Sequence, residues 1–167
     1  MRLFTAIVFK DSTLSKLLAL RDELSAKARK GNFTLNGNLH LTLLFLGECD
    51  RSHTAAAASI VKTLEFEPFD IVIDRVGCFR RNGGDVWWAG LRDYAPLIEV
   101  WQRLKGKFID GGFYTENDRY SPHITLGREV VTDAKPWKLE PFGEKVDSVK
   151  LMKSERIGGK LTYSVVS

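Results

Sequence analysis

Residues 38–47 read NLHLTLLFLG and residues 122–128 read PHITLGR. The chain has only three histidines, and two of them open the same tetrapeptide, His40-Leu41-Thr42-Leu43 and His123-Ile124-Thr125-Leu126. Ordinary residue usage places aliphatic-Thr-Leu after a given histidine on the order of one time in a thousand, so the repeat is a signal. On a β-strand, residues two apart project from one face. His40 therefore shares a face with Thr42, and His123 with Thr125. Leu39, Leu41, Leu43, Ile124 and Leu126 turn to the other side, where a core can bury them. Each motif is a strand that anchors itself and presents an imidazole beside a hydroxyl.

Working outward from the motifs, residues 2–9 (RLFTAIVF) are β-branched and aromatic enough for a strand. The helical period of Leu14, Leu17, Leu18, Arg21, Leu24 and Ala28 then predicts a helix capped by Asp11 or Ser12, running to about Lys30 and closed by Gly31. On this reading Lys27, Arg29 and Lys30 are a solvated helix end that complements the dipole. An Asn- and Gly-rich loop leads into the first motif, and a second helix is expected over roughly 51–64. Pro68 opens a strand over 69–79, the turn Asn82-Gly83-Gly84 makes a hairpin with VWWAGL, and a third helix covers about 94–109 before Gly111-Gly112. The second motif follows, then a connection containing Pro136 and Pro141, then two terminal strands turning at Gly158-Gly159. The order β-α-β-α-β-β-α-β-β-β predicts an α+β fold of helices packed on largely antiparallel sheet. The motifs lie about half a chain length apart in 167 residues, so they can occupy equivalent places in two related lobes. No linker or low-complexity tract divides them, and a single domain over 1–167 is expected.

Composition narrows the class. With 44% hydrophobic and 28% charged residues, the chain can build a real core, which excludes disorder, collagen and coiled coil. Two cysteines, Cys49 and Cys78, are too few for a disulfide framework and form no CxxC pair. No signal peptide or membrane-spanning stretch is visible, and a cytoplasmic location is expected. The net charge of +4 is shared evenly between the two halves, which permits a phosphate-bearing partner without demanding one.

The chemistry resides in the paired motifs. Metal binding is a poor fit, because Thr is not a usual ligand and no Cys, Asp or Glu stands at ligand spacing near either histidine. A Ser or Cys nucleophile would leave one histidine and both threonines idle, and neither G-x-S-x-G nor a phosphate-binding glycine loop occurs. Two imidazoles facing one cleft suit a step that takes up one proton and supplies another near neutral pH. Thr42, Thr125 and the nearby cation Arg128 can hold phosphate oxygens and steady a five-coordinate transition state. The spacing leaves open which histidine is acid and which is base. Phe9, Phe79, Trp87, Trp88, Phe113 and Tyr120 are the aromatic candidates for stacking on a base, with the core as the commoner place for each and expected for at least one of the adjacent Trp87 and Trp88, and His53 reads as a surface residue.

At these residues the chain resembles the 2H phosphoesterases, and within them the RNA 2′,3′-cyclic phosphodiesterases also called 2′-5′ RNA ligases. The resemblance rests on Met1-Arg2-Leu3-Phe4 with Ala6-Ile7, Asn38 through Gly47, Trp88-Ala89-Gly90, Pro122 through Arg128, and Ser154 with Gly158, Gly159 and Tyr163. It spans nearly the whole chain, and its specific part is the paired motif. Three positions depart from the family pattern: Gly37, the segment Cys78-Phe79-Arg80, and Tyr120, which stands where Phe is usual. The resemblance implies two pseudo-symmetric lobes of antiparallel sheet with helices outside and a central cleft. It implies metal-independent hydrolysis of a terminal 2′,3′-cyclic phosphate to a 2′-phosphate, without cofactor, with His40 as proton donor and His123 as proton acceptor. Thr42, Thr125 and Arg128 would grip the phosphate. Of the aromatic candidates, Tyr120 and Phe9 are the expected substrate contacts. Reversal would join RNA ends through a 2′-5′ bond. RNA ends or cyclic-phosphate nucleotides are the expected partners of a monomer. Other readings are a smaller substrate, such as a cyclic nucleotide, an ADP-ribose derivative or a 2′,5′-oligonucleotide, or a non-catalytic module that only binds RNA ends.

Overall fold

The computed structural model describes residues 1–115 and 119–167. Nine strands and three helices alternate as β1 (Arg2–Ile7), α1 (Asp11–Lys27), β2 (Ala28–Phe33), β3 (Leu41–Glu48), α2 (Arg51–Thr63), β4 (Phe69–Phe79), β5 (Asp85–Arg92), α3 (Ala95–Asp110), β6 (His123–Thr132), β7 (Trp137–Val146), β8 (Lys150–Ile157) and β9 (Lys160–Val165), with a 3₁₀ turn at Asn36–Asn38. The strands form two antiparallel sheets, one ordered β3-β1-β8-β9 and the other β2-β6-β5-β4-β7. The fold class is α+β, and each sheet carries one histidine motif. A continuous apolar core joins the sheets to the helices through Leu3, Ile7 and Leu41 on one side, Ile73, Trp87, Ile124 and Leu126 on the other, and Leu17, Leu97, Leu104 and Phe108 from α1 and α3. Full burial of aliphatic side chains such as Ile124 and Leu126 stabilises by about 1.5–3 kcal/mol each, so the motif strand is pinned by its hidden face.

Two strands are additions to the sequence-based order. The first is β2, where the periodicity carries helix α1 on to Lys30. The helix stops at Lys27, Ala28 is already extended, and 28–33 pair with β6 as an edge strand. Arg29 and Lys30 therefore lie on a strand, Arg29 meeting Asp133 at 3.2 Å, and Gly31 sits inside that strand against the Phe33 ring. The helix start also differs. Lys10 occupies the cap position without a side-chain bond, and Asp11 is the first helical residue, where its charge complements the dipole. The second addition is β7, which contains Pro141. It is an edge strand, and its pairing with β4 slips around the proline, the arrangement in which a residue without an N–H is tolerated. Gly143 allows the close approach of β4, since a Cβ there would collide with the Ile71 carbonyl. Helix α2 keeps its expected place, capped by Asp50, whose carboxylate accepts from the His53 amide at 2.8 Å.

Candidate active site

The two motifs meet across a cleft of about 1190 Å³ that is lined by His40, Thr42, His123, Thr125 and Arg128. Their local construction is the same. The His40 Nδ1–H donates to the carbonyl of Asn38 at 2.7 Å, and the His123 Nδ1–H donates to the carbonyl of Ser121 at 2.8 Å. A carbonyl can only accept, so each contact places the proton on Nδ1 and leaves Nε2 as the reactive nitrogen of the neutral ring. In the first motif the Thr42 hydroxyl donates to His40 Nε2 at 2.7 Å.

Each motif is followed by a β-bulge at the same place. On β3, Thr42 and Leu44 pair with the successive residues Ala6 and Thr5, which leaves Leu43 as the extra residue. On β6, Thr125 and Gly127 pair with Trp88 and Trp87, which leaves Leu126 as the extra residue. A bulge shifts the alternation by one, so the residue three beyond each threonine returns to the cleft face. In the five-stranded sheet that residue is Arg128; in the four-stranded sheet it is Phe45, 62% exposed. Without the bulge Arg128 would point into the core with Ile124 and Leu126.

Burial lowers both histidine pKa values from the ordinary 6.5. The Arg128 guanidinium pushes both further down, His123 adds to the effect on His40, and the Asn38 and Ser121 carbonyls oppose it. Both rings are therefore mainly neutral at pH 7 in the empty cleft. An arriving phosphate anion acts in the opposite direction to Arg128 and favours protonation of one ring. The site brings together two imidazoles, two hydroxyls and a cation, groups that can exchange protons with a phosphoryl centre and hold its oxygens.

A model of the 2′-5′ RNA ligase superfamily matches residues 13–157. The chain belongs to that superfamily. It is 32% identical over 151 residues to the RNA 2′,3′-cyclic phosphodiesterase of Archaeoglobus fulgidus, covering 86% of this chain and 85% of that protein. A protein of the same name from Methanocaldococcus jannaschii is 28% identical over 176 residues, covering 99% and 98%. Among solved structures, Escherichia coli LigT complexed with 3′-AMP aligns with a TM-score of 0.84 at 25% identity, covering 99% of this chain and 95% of that one.

Against this superfamily frame, two expected substrate contacts lie elsewhere. Phe9 is 6% exposed and packs in the main core, because it follows β1 on the side of the helices rather than of the cleft. Tyr120 is also turned away. Its ring stacks on Trp101 at 5.4 Å and 11°, and its hydroxyl donates to the Thr42 carbonyl at 2.7 Å, a bond from the segment before the second motif to the strand of the first. Tyr120 is a brace between the motifs. Trp87 is in the core, and Trp88 covers Gly77 and meets Phe79. Phe79 backs His123 edge-on at 5.1 Å, whereas Phe113 does line the cleft. His53 is bound to Asp50 at 2.8 Å on the cleft rim.

The structure adds residues that sequence reasoning left unassigned. Phe4 and Tyr163 flank His40 at 5.0 and 5.1 Å. Asn38, 9% exposed, donates through its amide to the Leu161 carbonyl at 2.8 Å and accepts from the Tyr163 amide at 3.2 Å, tying the first motif to β9. Phe45 could have been found by applying to His40 the five-residue offset that singles out Arg128 after His123. Among the described residues no three His, Cys, Asp or Glu gather as a metal site, and no helix is long and apolar enough to cross a membrane.

Proposed function

We propose that this chain is an RNA 2′,3′-cyclic phosphodiesterase, hydrolysing a terminal 2′,3′-cyclic phosphate to a 2′-phosphate. The observation that carries the reading is the pair of imidazoles on one cleft, each with Nδ1–H held by the carbonyl two residues back, so that Nε2 is the unprotonated nitrogen of the neutral ring. His123 takes the proton from water as it attacks phosphorus. The bond from phosphorus to O3′ breaks, and His40, protonated under the influence of the bound anion, delivers its proton to O3′. The balance is one water consumed, one P–O bond formed and one broken, and the proton pair exchanged between the rings is restored through solvent. Thr42 and Thr125 hold the non-bridging oxygens while Arg128 offsets the charge that accumulates on them. The names of the relatives and the 3′-AMP complex of LigT support the reading.

Phosphorus NMR of an oligonucleotide ending in a 2′,3′-cyclic phosphate, incubated in excess EDTA with the wild type, His40→Ala or His123→Ala, tests it. The expected product is a 2′-phosphate, and each variant should lose on the order of 10²–10⁴ in rate. A 3′-phosphate product, or full activity in either variant, would overturn the assignment.

A further inference from the structure

A cyclic phosphodiester carries one negative charge, and Arg128 stands ready for it. The cleft holds two further guanidiniums that this chemistry does not use, Arg156, which donates to the Gly159 carbonyl at 3.2 Å, and Arg2. Arg2 on β1 pairs with Ser154 on β8, which pairs with Tyr163 on β9. Residues directly opposite on paired strands share a face, so the three form one rung across the sheet, and all three line the cleft. The rung lies two residues along β1 from Phe4, whose ring packs on His40, a displacement of about 7 Å. One nucleotide of extended single-stranded backbone covers such a span.

The electrostatics of the rung are those of an anion receptor. Among the described residues, the two carboxylates on the cleft are ion-paired, Glu48 with the Met1 amino group at 3.0 Å and Glu155 with Lys153 at 3.2 Å. Among the described residues the Arg2 guanidinium and the hydroxyls of Ser154 and Tyr163 have no hydrogen-bond or ion-pair partner. Arg128 acts on both imidazoles and on the Tyr163 hydroxyl, whereas Arg2 acts on the Tyr163 hydroxyl alone. Arg2 is thus one step removed from the reacting centre.

We propose that Arg2, Ser154 and Tyr163 form a second phosphate subsite, which takes the phosphodiester joining the terminal nucleotide to its 5′ neighbour and so selects an oligonucleotide end over a free cyclic mononucleotide. This rests on the activity proposed above. The test compares kcat/KM for adenosine 2′,3′-cyclic phosphate and for a diadenosine dinucleotide ending in the same group, with wild type, Arg2→Gln and Arg2→Lys. A charge-assisted contact predicts a dinucleotide preference of roughly 10- to 100-fold in the wild type. The preference should fall to a few-fold in Arg2→Gln, chiefly through KM, recover in part in Arg2→Lys, and shrink as salt rises.

Equal use of the two substrates by the wild type, or an equal loss on both in Arg2→Gln, would overturn the subsite. Turnover of the mononucleotide reports separately on the activity. If neither substrate reacts, calorimetric titration with 2′-AMP and with the dinucleotide 2′-phosphate reads the subsite directly. An Arg2-dependent preference for the dinucleotide supports it, and equal affinities overturn it.

Discussion

Asn38→Ala removes a side chain that never meets the substrate in this scheme, yet it should disturb both stability and rate. The amide makes two bonds to the β9 backbone, to Leu161 at 2.8 Å and from Tyr163 at 3.2 Å, at a site only 9% exposed. At about 1 kcal/mol net for each bond, the loss is about 2 kcal/mol, with more if water cannot reach the stranded groups. For a chain of this length that corresponds to a fall in Tm of about 4–8 °C. The consequence for rate follows from the backbone of the same residue. Its carbonyl holds His40 Nδ1, and the strand it grips carries Tyr163, whose ring flanks His40 edge-on. Freed from β9, this segment lets the imidazole wander, and a misplaced acid lowers kcat by roughly 10-fold while KM stays within twofold. Calorimetry supplies Tm, and steady-state kinetics well below the variant's Tm separate misplacement from unfolding. Asn38→Asp is the control: it keeps the acceptor for Tyr163 but turns a donor into an oxygen facing the Leu161 carbonyl, so it should rescue neither property. An unchanged Tm, or a kcat within twofold of wild type in Asn38→Ala, would refute the reasoning.

Other outcomes follow from the same geometry. Because burial and Arg128 hold both imidazoles below their ordinary pKa, the bell-shaped profile of kcat/KM, which reports the free enzyme, should centre below pH 6.5. The kcat profile should lie at higher pH, since bound phosphate raises the pKa of the acid; coincident profiles centred above pH 7 would contradict this. Arg128→Gln removes a cation that lowers both histidines, so the kcat/KM bell should move to higher pH while its height falls by roughly 10- to 100-fold; a lower height without movement would show that Arg128 does not act on the rings. Tyr120→Phe keeps the stack on Trp101 and deletes only the bond to Thr42, so Tm should fall by about 2–4 °C and kcat by a few-fold at constant KM. Wild-type values in thermal melts and kinetics would show that the brace carries no strain.

The parts of this molecule that were legible in its sequence are those where one residue type has one use. A histidine followed by Thr two residues later on an apolar strand picks out the side chains that line the cleft, because period-2 alternation decides which side chains are wet. Helix α3 was legible up to its end signal, Gly111, and α2 in its extent, whereas the Asp50 cap of α2 is a finding of the structure. Strands β2 and β7 were not. Residues 28–30 continue the helical pattern up to Gly31, and 28–33 is a strand only because the edge of β6 is free to pair with it; Pro141 argues against a strand anywhere except an edge. Neither fact is local. Phe9 and Tyr120 failed as substrate contacts for a related reason: an aromatic beside a motif can face either layer, and only the packing of α1 and of Trp101 decides.

The bulges carry the deeper lesson about how a repeated motif comes to run an asymmetric reaction. Two lobes built alike would present the attacking and departing oxygens with the same surroundings. The lobes agree down to the Nδ1 carbonyl contact and the extra leucine after each threonine, and they part company at the residue that the bulge returns to the cleft. On one side that residue is Arg128, close enough to bias both imidazoles; on the other it is Phe45, apolar and exposed beside Phe4 at 6.1 Å. At that position the His123 side thus carries a cation and the His40 side a ring, next to Phe4 and Tyr163. A single phosphate held by Arg128 leaves its sugar and base to the aromatic side, which is also the side where Arg2 waits. The direction in which an RNA chain would cross the cleft is thus written into one substitution within an otherwise equivalent pair.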